Sequence, residues 1–337
     1  MEISSICPRK GKPLIKLIGL IVIATGLVAS APTGAQPAAK IPRIGVLSQT
    51  APPPPISPQI TALQKELQAL GWQEGKTVAI EYRYGGNDAS RLAAFANELI
   101  RLKVDVIITS GDLSTRAAQQ ATTSIPIVAN VGFPVESGFV KSLSRPGGNI
   151  TGFAVLSDEL SAKRLELLKE LLPRLTRVAV LWDTATHERQ PKAVEAAART
   201  LKIQVQLLRA KSADELEGAF AAAAKSQAEA VLVLVSPMFI GNRDTLVRLA
   251  AKHRMPTMYP NSAFTAAGGL IAYGGSVEEQ WRIIAGAVDK ILKGARPADI
   301  PVQQPTRFEL EINRKAARDA GVKIPQSVLM RASRVIE

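Results

Sequence analysis

The chain has 337 residues, 42 Lys+Arg against 29 Asp+Glu, one cysteine, two histidines and 46% hydrophobic residues. That length supports about two domains with cores of their own, and 21% charged residues beside so much apolar content excludes a disordered or fibrous chain. One cysteine and two histidines exclude a disulfide scaffold and a Cys-rich zinc site, so no metal or cofactor is expected.

In chain order, Arg9, Lys10, Lys12 and Lys16 precede an apolar run over 17–29, followed by small residues and Pro32. This is the pattern of a secretory leader, with cleavage expected after Ala35. The run is shorter than the roughly 20 residues a membrane span needs. Cys7 precedes it and so cannot carry a lipid just after it. Removing residues 1–35 takes four basic residues and Glu2, which lowers the net charge from +13 to +10. An exported, periplasmic protein is expected, and intracellular nucleic acid drops out as a partner.

The first half then reads as strand 43–47, helix 59–70, strand 78–82, helix 89–101, strand 104–109, helix 114–122 and strand 125–129. The second half repeats it as strand 177–181, helix 191–201, strand 203–208, helix 213–223, strand 230–235, helix 242–253 and strand 254–258. Alternating strands and helices with near-continuous apolar strands imply parallel sheets covered on both faces. Landmarks recur at nearly one offset: Arg43 and Arg177 are 134 residues apart, Ser110 and Ser236 126, Pro126 and Pro256 130. The fold class expected is α/β, two Rossmann-like doubly wound lobes derived from one duplicated unit. Extended segments at 150–154, 268–275 and 302–312 are read as crossings between lobes. Ser276-Val-Glu-Glu279 is read as a capping box opening a helix to about 292. The expected division is 36–152 plus 272–304 for the first lobe and 153–271 plus 305–337 for the second.

In an open α/β sheet, ligands bind beyond the carboxyl ends of the strands, where helix N-termini offer free N–H groups. Those ends supply the candidate ligand-binding residues. In the first lobe they are Ser48, Gln49, Ser110, Gly111, Asp112, Phe133 and Pro134. In the second they are Trp182, Asp183, Thr184, Ser236, Tyr259 and Asn261, with Tyr273 on a crossing. Ser48, Ser110 and Ser236 are expected to donate to an anionic group, Asp112 or Asp183 to hold an amine or hydroxyl, and Trp182 and Tyr259 to bracket a planar body. Each has a structural alternative: the serines and aspartates as helix caps, the aromatics as core.

Catalytic signatures are missing. There is no Gly-x-Ser-x-Gly, no Ser-x-x-Lys and no phosphate-binding Gly-Lys-[Ser/Thr] loop. The first strand is followed by Pro52-Pro-Pro-Pro55, which removes N–H donors a dinucleotide would need. His187 has no evident nucleophile partner, and Glu278 and Glu279 belong to a helix's first turn, where acids are stabilising. The basic surplus, including Lys163-Arg164, Arg174, Arg177, Lys252, Arg254 and Arg314-Lys315, reads as a dispersed, solvated face.

The run from Phe133-Pro-Val-Glu-Ser-Gly to Arg145-Pro-Gly-Gly-Asn-Ile-Thr-Gly152 resembles a signature of ABC-transporter substrate-binding proteins, a family with tryptophan-binding members. So do Ala266-Ala-Gly-Gly-Leu-Ile-Ala-Tyr-Gly274, the run Ile291-Leu-Lys-Gly-Ala-Arg-Pro-Ala-Asp-Ile-Pro-Val302, Phe308-Glu-Leu-Glu-Ile-Asn313 and Ala320-Gly-Val-Lys-Ile-Pro325. The resemblance implies a type I periplasmic binding fold that captures a small molecule and delivers it, as a monomer, to an ABC permease and its ATPase. Amino acids and aromatic or carboxylate compounds are the favoured cargo. The chain departs from the family's pattern at Phe133, where relatives often carry Asp, at Asp183-Thr184, where Asn-Pro is common, and in the Pro52–Pro55 insert. A periplasmic sensor that presents ligand to a kinase, or a periplasmic enzyme, are the alternatives.

Overall fold

The computed structural model describes residues 41–50 and 58–337. The expected leader and the Pro52–Pro55 run lie outside the described residues. The first sheet is built from β1 (Arg43–Ser48), β2 (Ala79–Tyr84), β3 (Val106–Ser110), β4 (Ile127–Val131) and β5 (Ile150–Ala154), linked in order through α1 (Pro58–Ala69), α2 (Ala89–Arg101) and α3 (Asp112–Ala121). The strands lie in the order β2-β1-β3-β4-β5 and are parallel throughout.

After β5 the chain enters α4 (Ser157–Leu171), β6 (Arg177–Asp183), α5 (Arg189–Leu201), β7 (Gln204–Ala210), α6 (Leu216–Lys225) and β8 (Ala230–Val233). The short α7 (Pro237–Gly241) and α8 (Arg243–Lys252) lead to β9 (Thr257–Tyr259), α9 (Ser262–Ala266) and β10 (Ile271–Gly275). This second sheet runs β7-β6-β8-β9-β10, the order of the first sheet repeated. The long α10 (Val277–Leu292) follows, then β11 (Phe308–Asn313), α11 (Arg314–Asp319), α12 (Gln326–Arg331) and β12 (Arg334–Ile336). β11 joins β10 antiparallel and β12 pairs with β11, so the second sheet is mixed and has seven strands.

The crossings fall later than the sequence suggests. Residues 150–154 pair with β4 and 271–275 with β9, so both are the fifth strands of their own sheets. The chain changes lobe just after each, and a third time between Gln303, bridged to Phe153, and β11. These segments were expected to cross between the lobes, but they are largely buried, and sheet neighbours satisfy their backbone N–H and C=O groups.

The helix after each fifth strand serves the opposite lobe. α4 packs against α5, β9 and β10, while α10 packs against α1, β5 and β4. Without α10 the first sheet would expose one face, since its apolar layer of Ile44, Val46, Val106, Ile108 and Val128 closes on Trp281, Ile284 and Val288. Leu165, Leu168 and Leu171 of α4 do the same for Val178, Val180 and Leu232. Full burial of each such aliphatic side chain contributes about 1.5–3 kcal/mol, so neither exchanged helix is dispensable.

α10 is capped by Ser276, whose Oγ accepts the Glu279 N–H at 3.5 Å. The reciprocal half of the capping box is not made. The Glu279 carboxylate, 4% exposed, instead accepts the backbone N–H groups of Thr306 (3.1 Å) and Arg307 (3.0 Å) and the Thr306 hydroxyl. It pins the third crossing to the second. Burial pushes this carboxyl up, but the Thr306 and Arg307 donors outweigh it and hold it below the usual carboxylate range. A depressed carboxyl contributes stability above its unfolded-state pKa that is lost as pH falls through its folded value. Glu279→Gln is therefore expected to cost about 2 kcal/mol at pH 7 and far less near pH 3. Urea midpoints at the two pH values check this, and an equal gap at both would contradict it.

Candidate ligand-binding site

The carboxyl ends of both sheets face one cavity of about 160 Å³. The first lobe supplies Ser48, Gln49, Tyr84, Ser110, Gly111, Asp112, Asn130 and Phe133. The second supplies Thr186, His187, Gln190, Pro237, Arg243 and Asn261. The floor is formed where the chain changes lobe, by Val155, Arg164, Gly275, Trp281 and Pro305. Ile60, Ile108, Phe153 and Leu160 make much of the wall apolar.

Local structure explains why these groups meet. Gly111, at the N-terminus of α3, has φ +99. A Cβ there would lie 2.3 Å from the Gln49 amide oxygen and 2.8 Å from Pro237 of the other lobe, so only glycine permits this approach. The Gln49 amide is held by the Leu113 N–H (3.1 Å) and by Asn87 (2.6 Å), so it fixes the loop after β1. Ser48 Oγ is engaged by Thr50 at 2.9 Å. At the rim the Phe133 and His187 rings meet at a tilt, with centroids 4.9 Å apart, and Arg189 lies 5.3 Å over the Phe133 ring. Arg189 also pairs with Glu136 of the first lobe at 2.7 Å and with Asp158 at 2.9 Å. The lobes are thus in contact across the mouth.

Two charges of opposite sign line the cavity from opposite lobes. Asp112 opens α3; burial pushes its carboxyl up from the ordinary range, against the opposing pull of His187, Ser137 and Arg116. Arg164, on α4, is 1% exposed. Burial pushes its guanidinium down to about 9, so it remains charged at neutral pH.

A family model described as ABC transporter substrate binding protein matches residues 51–336. The chain belongs to that family. The Tyrosine-binding protein of Clostridioides difficile (strain R20291) is 26% identical over 253 residues, 74% of this chain and 72% of that one. The crystal structure of a conserved domain protein from Vibrio cholerae superimposes with a TM-score of 0.80 at 24% identity, covering 88% of this chain and 100% of the other. An ABC domain in complex with L-Trp from Streptococcus pneumonia gives 0.77 at 24% identity, covering 88% and 99%. The fold is the type I periplasmic binding fold.

In this substrate-binding protein, seven of the residues expected at the site, Ser48, Gln49, Ser110, Gly111, Asp112, Phe133 and Asn261, line the cavity. The other seven do not. Pro134 is buried in the loop after β4, its carbonyl accepting the Phe139 N–H at 2.9 Å. Trp182 shares the face of Val178 and Val180 on β6 and packs in that core, with its indole N–H on Thr186 at 3.1 Å. Asp183, fully buried, accepts the Ser236 hydroxyl at 2.6 Å and the Ala185 N–H at 2.9 Å. Ser236 caps α7 through the Phe239 N–H. Both are structural ties between strand tips. The Thr184 N–H pairs with the Ala210 carbonyl at 3.2 Å. Tyr259 is fully buried and stacked on Phe264 at 4.8 Å, and Tyr273 packs against Phe308 on the far side of β10.

Arg164 is the residue most at odds with the sequence reading, which placed it on a solvated basic face. It lies one helical turn from both Leu160 and Leu168, inside the apolar stripe of α4, and that position is the signal that marks it as buried. Trp281, on the buried face of α10 with Ile284, Ala285 and Val288, follows the same rule. Removing the Ser236 hydroxyl leaves Asp183 buried with one donor fewer and α7 without its cap. Ser236→Ala is therefore expected to lower unfolding free energy by about 1–3 kcal/mol in urea titrations; a change indistinguishable from zero would contradict this account of the pair.

Proposed function

We propose that this chain is a periplasmic solute-binding protein that captures an aromatic amino acid, or a closely related aromatic carboxylate, between its lobes and delivers it to the permease and ATPase of an ABC importer. The observation that carries this reading is the cavity itself: both lobes contribute to it, its wall is largely apolar and includes Phe133, Phe153 and Trp281, and polar side chains reach it from both lobes. Relatives described as tyrosine-binding and as an L-Trp complex support the same class of cargo.

In this reading Asp112 receives the ligand's ammonium group, which adds a close counter-charge to a carboxylate that burial penalises. Phe133 covers the planar body from the first lobe, and Ser110 and Asn261 supply polar contacts from opposite sides. Ligand contacts available on both lobes only when they meet shift the population toward the closed form. The rim contacts of Phe133 with His187 and of Glu136 with Arg189 belong to that form, and the importer recognises it. His187 Nδ1 accepts the Arg189 N–H, which gives it a structural task and supports a binder over an enzyme.

A thermal-shift screen of aromatic amino acids and aromatic carboxylates tests the class. A true ligand at 100 times its Kd adds about 2.7 kcal/mol, a rise of about 5 °C for a chain of this size. Phe133→Ala and Asp112→Asn are each expected to weaken the best ligand about tenfold or more by calorimetry. Undiminished affinity in both variants would remove the cavity as the site.

A further inference from the structure

Arg164 makes an unusual set of contacts for a buried cation. Its Nε donates to the Tyr273 carbonyl at 2.6 Å, its Nη2 to the Pro260 carbonyl at 3.2 Å, and its Nη1 reaches Ser161 Oγ only at 3.5 Å. Among the described residues no carboxylate lies within 4.0 Å of it. A guanidinium carries five N–H donors, so at least two have no protein acceptor. Buried charges are normally paired, because desolvating an ion without a counter-charge is costly. The site is also built to hold the group still. A Cβ at Gly274 would lie 2.2 Å from the Pro260 carbonyl oxygen, so this glycine is what lets the carbonyl reach the guanidinium.

A second donor on the same floor is also unmatched. Trp281 is 4% exposed and lines the cavity, and its indole N–H has no acceptor. Buried donors of this kind are rare in native proteins and call for an explanation. Two unspent donors, one of them charged, complement an acceptor that is itself anionic and has no proton to give. A carboxylate fits a planar, forked donor better than any neutral group.

We infer that Arg164 binds the carboxylate of the transported solute, with the Trp281 indole N–H as a second donor. The inference rests on the cavity being the ligand site and adds what anchors the ligand there. It moves the anion from the strand-tip serines to the floor between the lobes. It also orients a zwitterion, with carboxylate on Arg164 of the second lobe and ammonium near Asp112 of the first, so that one ligand engages both lobes through opposite charges.

Isothermal titration of the mature protein with L-tyrosine and L-tyrosinamide, and with L-tryptophan and L-tryptophanamide, tests this. The wild type is expected to prefer the acid over its amide by about 100-fold. Arg164→Gln should collapse that preference to within about threefold, Arg164→Lys should retain part of it, and Trp281→Phe should lower acid affinity several-fold while keeping the ring. Equal binding of acid and amide by the wild type overturns the inference, as does a loss in Arg164→Gln that is the same for both, which would mark Arg164 as purely structural. If Arg164→Gln does not fold, the wild-type ratio together with Trp281→Phe decides. Phe133→Ala separates the two levels: if it weakens the acid while the acid-over-amide preference is absent, only the anchor is wrong. If neither amino acid binds the wild type, the reading of the cargo falls and this one with it.

Discussion

Each sheet must bury two faces, and in this chain neither lobe can do so with its own helices. The helix that follows β5 covers the second sheet, and the helix that follows β10 covers the first. Burial of Leu165, Leu168 and Leu171 on one side and of Trp281, Ile284 and Val288 on the other therefore depends on the two lobes staying joined. The exchange forces the chain to change lobe at the carboxyl ends of both fifth strands. Those are also the ends where an α/β sheet offers helix N-termini and open loops. The cavity between the lobes lies there because the packing constraint and the geometry of the strand ends select the same place.

Two buried charges mark the junction, and each is handled differently. Glu279 is satisfied within the protein by the N–H groups of Thr306 and Arg307 and the Thr306 hydroxyl, so it acts as a fastener between two crossings. Arg164 is only partly satisfied, by carbonyls at the ends of β9 and β10. A fully satisfied buried network gives rigidity, whereas an unspent buried donor calls for an acceptor from elsewhere. That contrast is the ground for the inference that Arg164, and not Glu279, receives a ligand group.

The duplication was legible because its landmarks keep a near-constant offset, and it is mirrored in identical strand order in the two sheets. Ser110, Gly111 and Asp112 line the cavity, as strand-tip position suggests, because residues just past a strand and at the start of a helix have few other places to go. Trp182 and Tyr259 do not line it, because period-2 alternation runs through the end of a strand and seats those rings with Val180 and with Ala272 in the two cores. Asp183 and Ser236 occupy strand tips too, but they find each other first. Arg164 escaped because a charged residue in a basic stretch reads as surface unless the helix carrying it is recognised, and α4 was not among the elements expected after 150–154. Its spacing from Leu160 and Leu168 held the information.

The central claim is that one solute is held between the lobes by groups from both. A crystal structure of the mature chain grown with the aromatic amino acid or aromatic carboxylate that stabilises it most tests this directly. The expected result is ligand density in the cavity, with the ring against Phe133 and the carboxylate on Arg164 and the Trp281 indole N–H. Density confined to one lobe's surface, or a cavity filled by solvent at saturating ligand, would contradict it.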